Sequence, residues 1–345
     1  MTKKTKQKAS KRYLIPVMVC LLAIVGLIYF YMFSSMSKEA DTVYVYIDDD
    51  DNIDSVFTKI KTIATAQGNA GFQTLARHTA YHDNIRTGRY EIQPGDGALS
   101  VFRRMKNGMQ TPLNLTIPSV RTIDRLAAVL GEKLMLDSTE IVQALTDEAT
   151  CQKYGYDTLT IACMFVPNTY DIYWNTSLEN FLERMQKECN TFWNEERQQK
   201  AKNMGLTQTE VITLASIVDE ESNDDGEKPM IAGMYYNRLQ QDMPLQADPT
   251  VKFALKDFGA KRIYEKMLRA DSPFNTYRNT GLPPGPIRIP SVAGIDAVLN
   301  YTHHDYLYMC AKEDFSGTHN FARTYTEHLA NAAKYSEALN KRGIK

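Results

Sequence analysis

The chain has no excess of basic residues over acidic ones: 40 Lys+Arg stand against 41 Asp+Glu, a formal net charge of −1. That balance argues against a nucleic-acid binder, which carries a basic surplus. Its five cysteines contain no C-x-x-C pair and no zinc-ligand spacing. G-x-G-x-x-G, the P-loop and G-x-S-x-G are absent as well. His78 and His82 have the i,i+4 spacing of a metalloprotease helix but lack its glutamate. Neither a metal nor a cofactor is therefore expected. Hydrophobic residues make up 43% and charged residues 23% of the 345, which excludes a long disordered or collagen-like chain. The length sets a prior of two domains.

The first 38 residues contain seven cations and no acid, so the remainder carries 33 cations against 41 acids. Within that basic segment Tyr13–Phe33 is a run without a charge. At ~1.5 Å per residue it spans a hydrocarbon core of roughly 30 Å. Tyr13, Tyr29 and Tyr31 stand near its ends, where amphipathic rings favour the interface, and Pro16 is placed in the first helical turn, where a missing N–H is tolerated. The run is longer than a signal-peptide core, and Ser34–Lys38 is a poor cleavage site. The reading is an uncleaved anchor rather than a buried core helix. Six cations precede it and Lys38 alone follows closely, so the N-terminus is expected in the cytoplasm. No second run of comparable length follows. Cys151, Cys163, Cys189 and Cys310 lie beyond the anchor, where disulfides are permitted but none can be assigned; the preferred reading is small buried hydrophobes.

Beyond the anchor, Val43–Ile47 reads as a strand, followed by the acidic turn Asp48–Asp51 and a helix with Ile53, Val56, Phe57 and Ile60 on one side. Two similar strand-then-helix units follow, at Arg89–Met105 and Leu113–Leu130. A small α+β domain over about residues 40–135 is the economical reading. Helical patterns dominate 138–203, broken by the aromatic segment Phe165–Trp174. Two further helices are expected over 207–241. Residues 243–291, rich in Pro, Gly, Asn and Asp, are expected to be mostly loop, and long ordered loops are often functional. A strand at Tyr306–Ala311 and a helix at Thr326–Asn340 complete the pattern.

Thr207-x-x-Glu210 is a capping box before an apolar run from Val211 to Val218. Asp219, Glu220 and Glu221 follow at once. At ~100° per residue Glu220 falls almost opposite the apolar side, while Asp219 and Glu221 lie roughly 90° and 70° from its centre. Partial burial raises a carboxyl's pKa and suits it to donate a proton. Three acids at a helix C-terminus also oppose the macrodipole, which weakens the reading of a plain solvated helix end without removing it, and on pattern alone that reading stays ahead of catalysis. The wheel by itself does not choose between Asp219 and Glu221.

Leu214–Glu221 (LASIVDEE) resembles the LASIxExE signature of the YceG-like family, the MltG-type endolytic murein transglycosylases. Further blocks agree in order: Phe165–Tyr173, Ala232–Leu239, Met243–Val251, Phe274–Tyr277, Gly281–Ile287 and His319-Asn320-Phe321. The resemblance implies an α+β protein with a cytoplasmic basic tail (1–12), a single transmembrane anchor (13–33), a small LysM-like subdomain (40–135) and a helix- and loop-rich catalytic domain (136–345). It places the chain in the inner membrane, with the catalytic part in the periplasm. It implies a lyase acting on peptidoglycan glycan strands, cleaving the β-1,4 bond between N-acetylmuramic acid and N-acetylglucosamine to leave 1,6-anhydro ends. Membrane glycan polymerases are implied as neighbours. The second Glu of the signature falls on Glu221, the implied catalytic acid and base; the first is Asp219 here, one methylene shorter.

In that mechanism one carboxyl gives a proton to the glycosidic oxygen and then takes one from the C6 hydroxyl. A hydrolase would need a second carboxylate, for which Asp248 is the candidate, although a turn or helix cap suits it equally. Gln246, Asn275 and Tyr277 are candidates to hold sugar groups, or else to pin the loops that carry them. Arg238 reads as a surface or loop-clamping cation, Gly281–Pro286 as a rigid turn, and His319 with Phe321 as packing residues. Two other functions stay open: a peptidoglycan-binding scaffold without chemistry, and a muramidase that adds water.

Overall fold

The structure, a computed structural model, describes residues 3–260 and 262–343, with side chains from Leu14 onward. It is a mixed α+β protein with one long N-terminal apolar helix, α1 (Lys3–Met32). The segment Leu14–Met32 is long and apolar enough to cross a membrane, and none of it is buried by protein. A core helix of a water-soluble domain would be covered, so that alternative loses its support. Pro16 lies well inside α1 rather than in its first turn. The Lys-rich residues before it are good helix formers and extend the helix toward the N-terminus.

The chain divides into two compact units. The first comprises residues up to Asn114 together with Asp171–Thr176. After α1 it contains β1 (Val43–Ile47), α2 (Ile53–Ile63), α3 (Ala66–His78), β2 (Gly88–Ile92) and α4 (Ala98–Lys106). β1 and β2 pair antiparallel, with Val45 opposite Tyr90. Alternation along β1 buries Val45 and Ile47, which meet Val56 and Ile60 of α2 and Phe102 of α4 in one core. Asn52 and Ser55 close a reciprocal capping box that starts α2. Lys59 of α2 pairs with Asp48 and Asp51, so the helix ties down both ends of the acidic turn that introduces it. The helix α3 has no strong apolar stripe: its buried residues are Gly68, Gly71, Phe72 and Ala76. Small residues give little periodic signal, although they let backbones approach closely.

The second unit holds Leu115–Tyr170 and Ser177–Lys345. In chain order the elements from β3 onward are β3 (Leu113–Thr116), α5 (Ile123–Lys133), α6 (Ser138–Thr146), α7 (Glu148–Lys153), β4 (Thr169–Ile172), α8 (Leu178–Phe192) and α9 (Glu195–Asn203). Then come α10 (Gln208–Glu221), α11 (Lys228–Gln240), α12 (Asp248–Ala254), α13 (Glu265–Leu268), α14 (Val292–Leu299), β5 (Tyr308–Ala311), β6 (His319–Ala322) and α15 (Tyr325–Lys341). The units divide between Asn114 and Leu115, about twenty residues before the division near 135 expected from sequence. The reason is that α5 packs on α6 and so belongs with the second unit. The stretch 243–291 is not all loop, since α12 and α13 form within it, and both α14 and the short strand β6 go beyond the sequence reading.

The helix α10 is the centre of the second unit. Its residues Val211–Asp219 are buried without interruption, enclosed by α9, α11, α12 and α14. The sequence suggests one apolar side; the structure buries the polar side too. Ser216 donates to Thr213 C=O at 2.7 Å and accepts the Ile287 N–H at 3.0 Å. That bond fastens the Gly281–Ile287 turn to the helix. β5 and β6 pair antiparallel, with Met309 opposite Phe321, and α15 lies against them.

Candidate active site

The three consecutive acids at the end of α10 point to three environments, as a ~100° step requires. Asp219 is buried and points at the start of α14. It accepts the Ser291 N–H at 2.5 Å and the Ser291 hydroxyl at 3.0 Å, and pairs with Lys228 Nζ at 2.8 Å. Glu220 is not the exposed residue its wheel position suggests. Arg121 grips it through two bonds of 2.7 and 2.8 Å, and Arg288 adds a third at 3.1 Å. The fixed fork of an arginine suits such two-point pairing. Glu221 pairs with no cation among the described residues and instead faces a cleft of about 340 Å³.

The cleft is assembled from four parts of the second unit. Glu221 comes from the end of α10, and Tyr235 and Arg238 come from α11, one turn apart. Gln246, Asp248 and Tyr277 come from the stretch around α12, and Tyr308, His319, Tyr325 and His328 from β5, β6 and α15. Tyr235, itself buried, donates its hydroxyl to Glu221 Oε1 at 2.6 Å. Burial pushes the Glu221 carboxyl up to about 7. The Tyr235 bond pulls it down, and the negative charge of Asp248 adds to the rise. Nearby His319 and Lys252 oppose that rise. A carboxyl so placed holds a proton near neutrality while keeping part of its surface open to the cleft.

Around it the cleft is rigidly held. Arg238 is buried and spends its donors on Pro244 C=O (2.9 Å), Leu307 C=O (2.9 Å) and Gln246 Oε1 (2.8 Å). Of the two roles the sequence leaves open, it is the loop clamp and not the surface cation, because its burial requires every donor to find an acceptor. Gln246 has a positive φ of 53°, and its N–H is held by Thr276 C=O at 3.1 Å. Tyr277 donates to Asp248 Oδ1 at 2.7 Å, and burial raises that phenol's pKa, so it stays a donor. His319 is fixed by Glu227, a buried carboxylate that accepts its N–H at 2.6 Å and lies 3.0 Å from its Nδ1.

Of the residues singled out from sequence, the structure brings Glu221, Gln246, Asp248 and Tyr277 to one cleft. Asn275 stands apart. It is fully buried, with its amide donating to Leu268 and Ala270 C=O and its oxygen accepting the Tyr277 N–H. It shapes the loop, and no part of it faces the cleft. Tyr235, Tyr308, Tyr325 and His328 went unmarked in the sequence reading, because an aromatic residue within a helix or strand reads as core. The one available signal is that Tyr235 lies one turn before Arg238 in the same block. No cluster of His, Cys, Asp and Glu fit to hold a metal occurs among the described residues.

An apolar N-terminal helix, an α+β body and a cleft built around an unpaired, proton-holding carboxyl define the class of protein. The chain belongs to the YceG-like family, whose sequence pattern matches residues 45–334. It is 27% identical over 317 residues to the endolytic murein transglycosylase of Bacillus subtilis, covering 87% of each chain. It is also 27% identical over 327 residues to the protein of that name in Streptococcus pneumoniae, covering 85% of this chain and 58% of that one. A solved YceG-like protein of Listeria monocytogenes matches with a TM-score of 0.56 at 25% identity, over 85% of this chain and 99% of that one.

Proposed function

We propose that this chain is an endolytic murein transglycosylase, a lyase that cuts peptidoglycan glycan strands without water, with Glu221 as its acid and base. The observation that carries the reading is Glu221 itself: a carboxyl raised to about 7, without a cationic partner, on a cleft. Family membership and the names of the relatives supply the substrate class.

Protonated Glu221 gives its proton to the oxygen of the β-1,4 bond between N-acetylmuramic acid and N-acetylglucosamine. The C1–O bond breaks as positive charge grows on the muramoyl ring. The carboxylate left behind takes the proton of the C6 hydroxyl, whose oxygen bonds to C1 of the same ring. One product carries a 1,6-anhydro end, the other a free hydroxyl, and Glu221 is protonated again. The tethered nucleophile gains from its high effective concentration. Tyr235, bonded to Oε1, steers the transferable proton toward the other oxygen. The buried surroundings strengthen these interactions relative to water.

In this reading the first unit is a LysM-like glycan-holding part. Leu14–Met32 anchors the chain in the cytoplasmic membrane, with the cleft on the outer, periplasmic side. Neighbouring glycan polymerases supply the strands that it trims. The test is to incubate the full chain in detergent with uncrosslinked glycan strands and weigh the products, beside Glu221→Gln. Anhydro ends, lighter than reducing ends by one water, should form with the wild type and vanish with the variant. Reducing ends would overturn the lyase reading in favour of a hydrolase using Asp248. Binding without cleavage would leave a scaffold.

A further inference from the structure

One end of the cleft is aromatic, and the acid–base chemistry makes no use of it. Tyr308 of β5 and Tyr325 and His328 of α15 all line it. Their rings pack on one another, with centroids 5.8 Å apart for Tyr308–Tyr325, 5.5 Å for Tyr308–His328 and 6.0 Å for Tyr325–His328. His328 lies within about 30° of parallel to both tyrosines. Tyr325 remains 59% exposed despite this backing. The His328 Nδ1 is buried with no hydrogen-bond partner, and burial together with the Arg238 charge pushes its pKa down, so the ring is neutral at neutral pH. The Arg238 guanidinium lies 5.6 Å from the Tyr308 ring while also holding Gln246. The aromatic cluster and the polar floor of the cleft are thus joined through one buried side chain.

The cluster carries no charge to hold an anion, and its single imidazole belongs to no metal-holding group among the described residues. The cluster does suit a pyranose. The C–H hydrogens on one face of a sugar ring carry partial positive charge, and the face of an aromatic ring is the negative part of its quadrupole. Sites for small ligands combine such apolar faces with a few fixed polar groups, and here Gln246, Asp248 and Tyr277 stand on the same cleft.

We propose that Tyr325, backed by Tyr308 and His328, is a stacking subsite for a sugar ring of the glycan strand next to the bond cut at Glu221. The inference rests on the function proposed above and adds a residue that grips the strand without touching the reacting atoms. Its test uses the full chain in detergent carrying Glu221→Gln, titrated by calorimetry with uncrosslinked glycan strands. Adding Tyr325→Ala should weaken binding by about three- to tenfold, while Tyr325→Phe, which keeps the ring, should bind as the parent does. Unchanged affinity in Tyr325→Ala would overturn the subsite. So would an equal loss in Tyr325→Phe, because the hydroxyl rather than the ring face would then be responsible. Tyr325→Phe and Tyr325→Trp keep a ring against Tyr308 and His328 and should melt with the parent, and binding by Tyr325→Ala is measured below its own melting temperature, which separates lost stacking from lost folding. If the wild type releases no anhydro ends while Tyr325→Ala still loses affinity, the catalytic reading fails and the subsite stands.

Discussion

Glu221 is a carboxyl kept out of water without a counter-charge, and that has consequences for stability as well as for chemistry. Its folded pKa, about 7, lies above the ordinary 4.5. Between those values the folded protein binds more protons than the unfolded chain, so stability falls as pH rises from 4.5 toward 7 and stays reduced above it. Glu221→Gln, an uncharged isostere, should therefore abolish cleavage yet stabilise the protein at pH 8, by about 1–3 kcal/mol. Urea unfolding at pH 8 and at pH 4 checks this: the gain should be present at pH 8 and small at pH 4. In the proposed mechanism the protonated form starts the reaction, so kcat/KM should fall as pH rises through about 7. Tyr235→Phe removes a bond that lowers the Glu221 pKa, and should move that alkaline limb upward while reducing kcat. A limb that stays in place in Tyr235→Phe would detach the limb from Glu221.

At the scale of elements, the decisive join is between α10 and α14. Asp219 reaches α14 at Ser291, and the space it occupies exists because residue 294 has no side chain. A Cβ there would lie 2.5 Å from Asp219 Oδ1 and 2.8 Å from its Cγ. Gly294→Ala must push Asp219 off Ser291 or Lys228, leaving a buried charge poorly paired. It should cost about 2–4 kcal/mol in chemical unfolding. Because α10 also carries Glu221, cleavage should fall in the protein that still folds. Serine 216 makes a comparable join to Ile287. A capping box made α10 legible in sequence, apolar periodicity α2, and the run of Val, Tyr and Ile β1. By contrast, α3 and α14 were not, because their buried faces are partly glycine and alanine.

For the whole molecule, the proposed anchoring takes its orientation from the asymmetry of charge about Leu14–Met32. In spheroplasts, added protease should digest the chain beyond residue 38 and spare a tag fused ahead of Met1. Loss of the tag with survival of the remainder would reverse the proposed orientation.

The sequence by itself determined the apolar helix, the α+β character, most of the helices and the segment that carries the acids, because each rests on local periodicity, caps or charge counts. It also marked Gln246, Asp248 and Tyr277 as residues near the chemistry. Which acid was left unpaired was decided only in three dimensions. Arg121 and Arg288, which neutralise Glu220, and Ser291, which hydrogen-bonds Asp219, lie some 70 to 100 residues away along the chain, and Lys228, which neutralises Asp219, comes from the next helix. The tyrosine that binds Glu221 comes from the next helix, while Asp248 and the aromatic end of the cleft come from segments farther along the chain. Local pattern tells which face of a helix is buried, but only long-range packing tells what each side chain meets there.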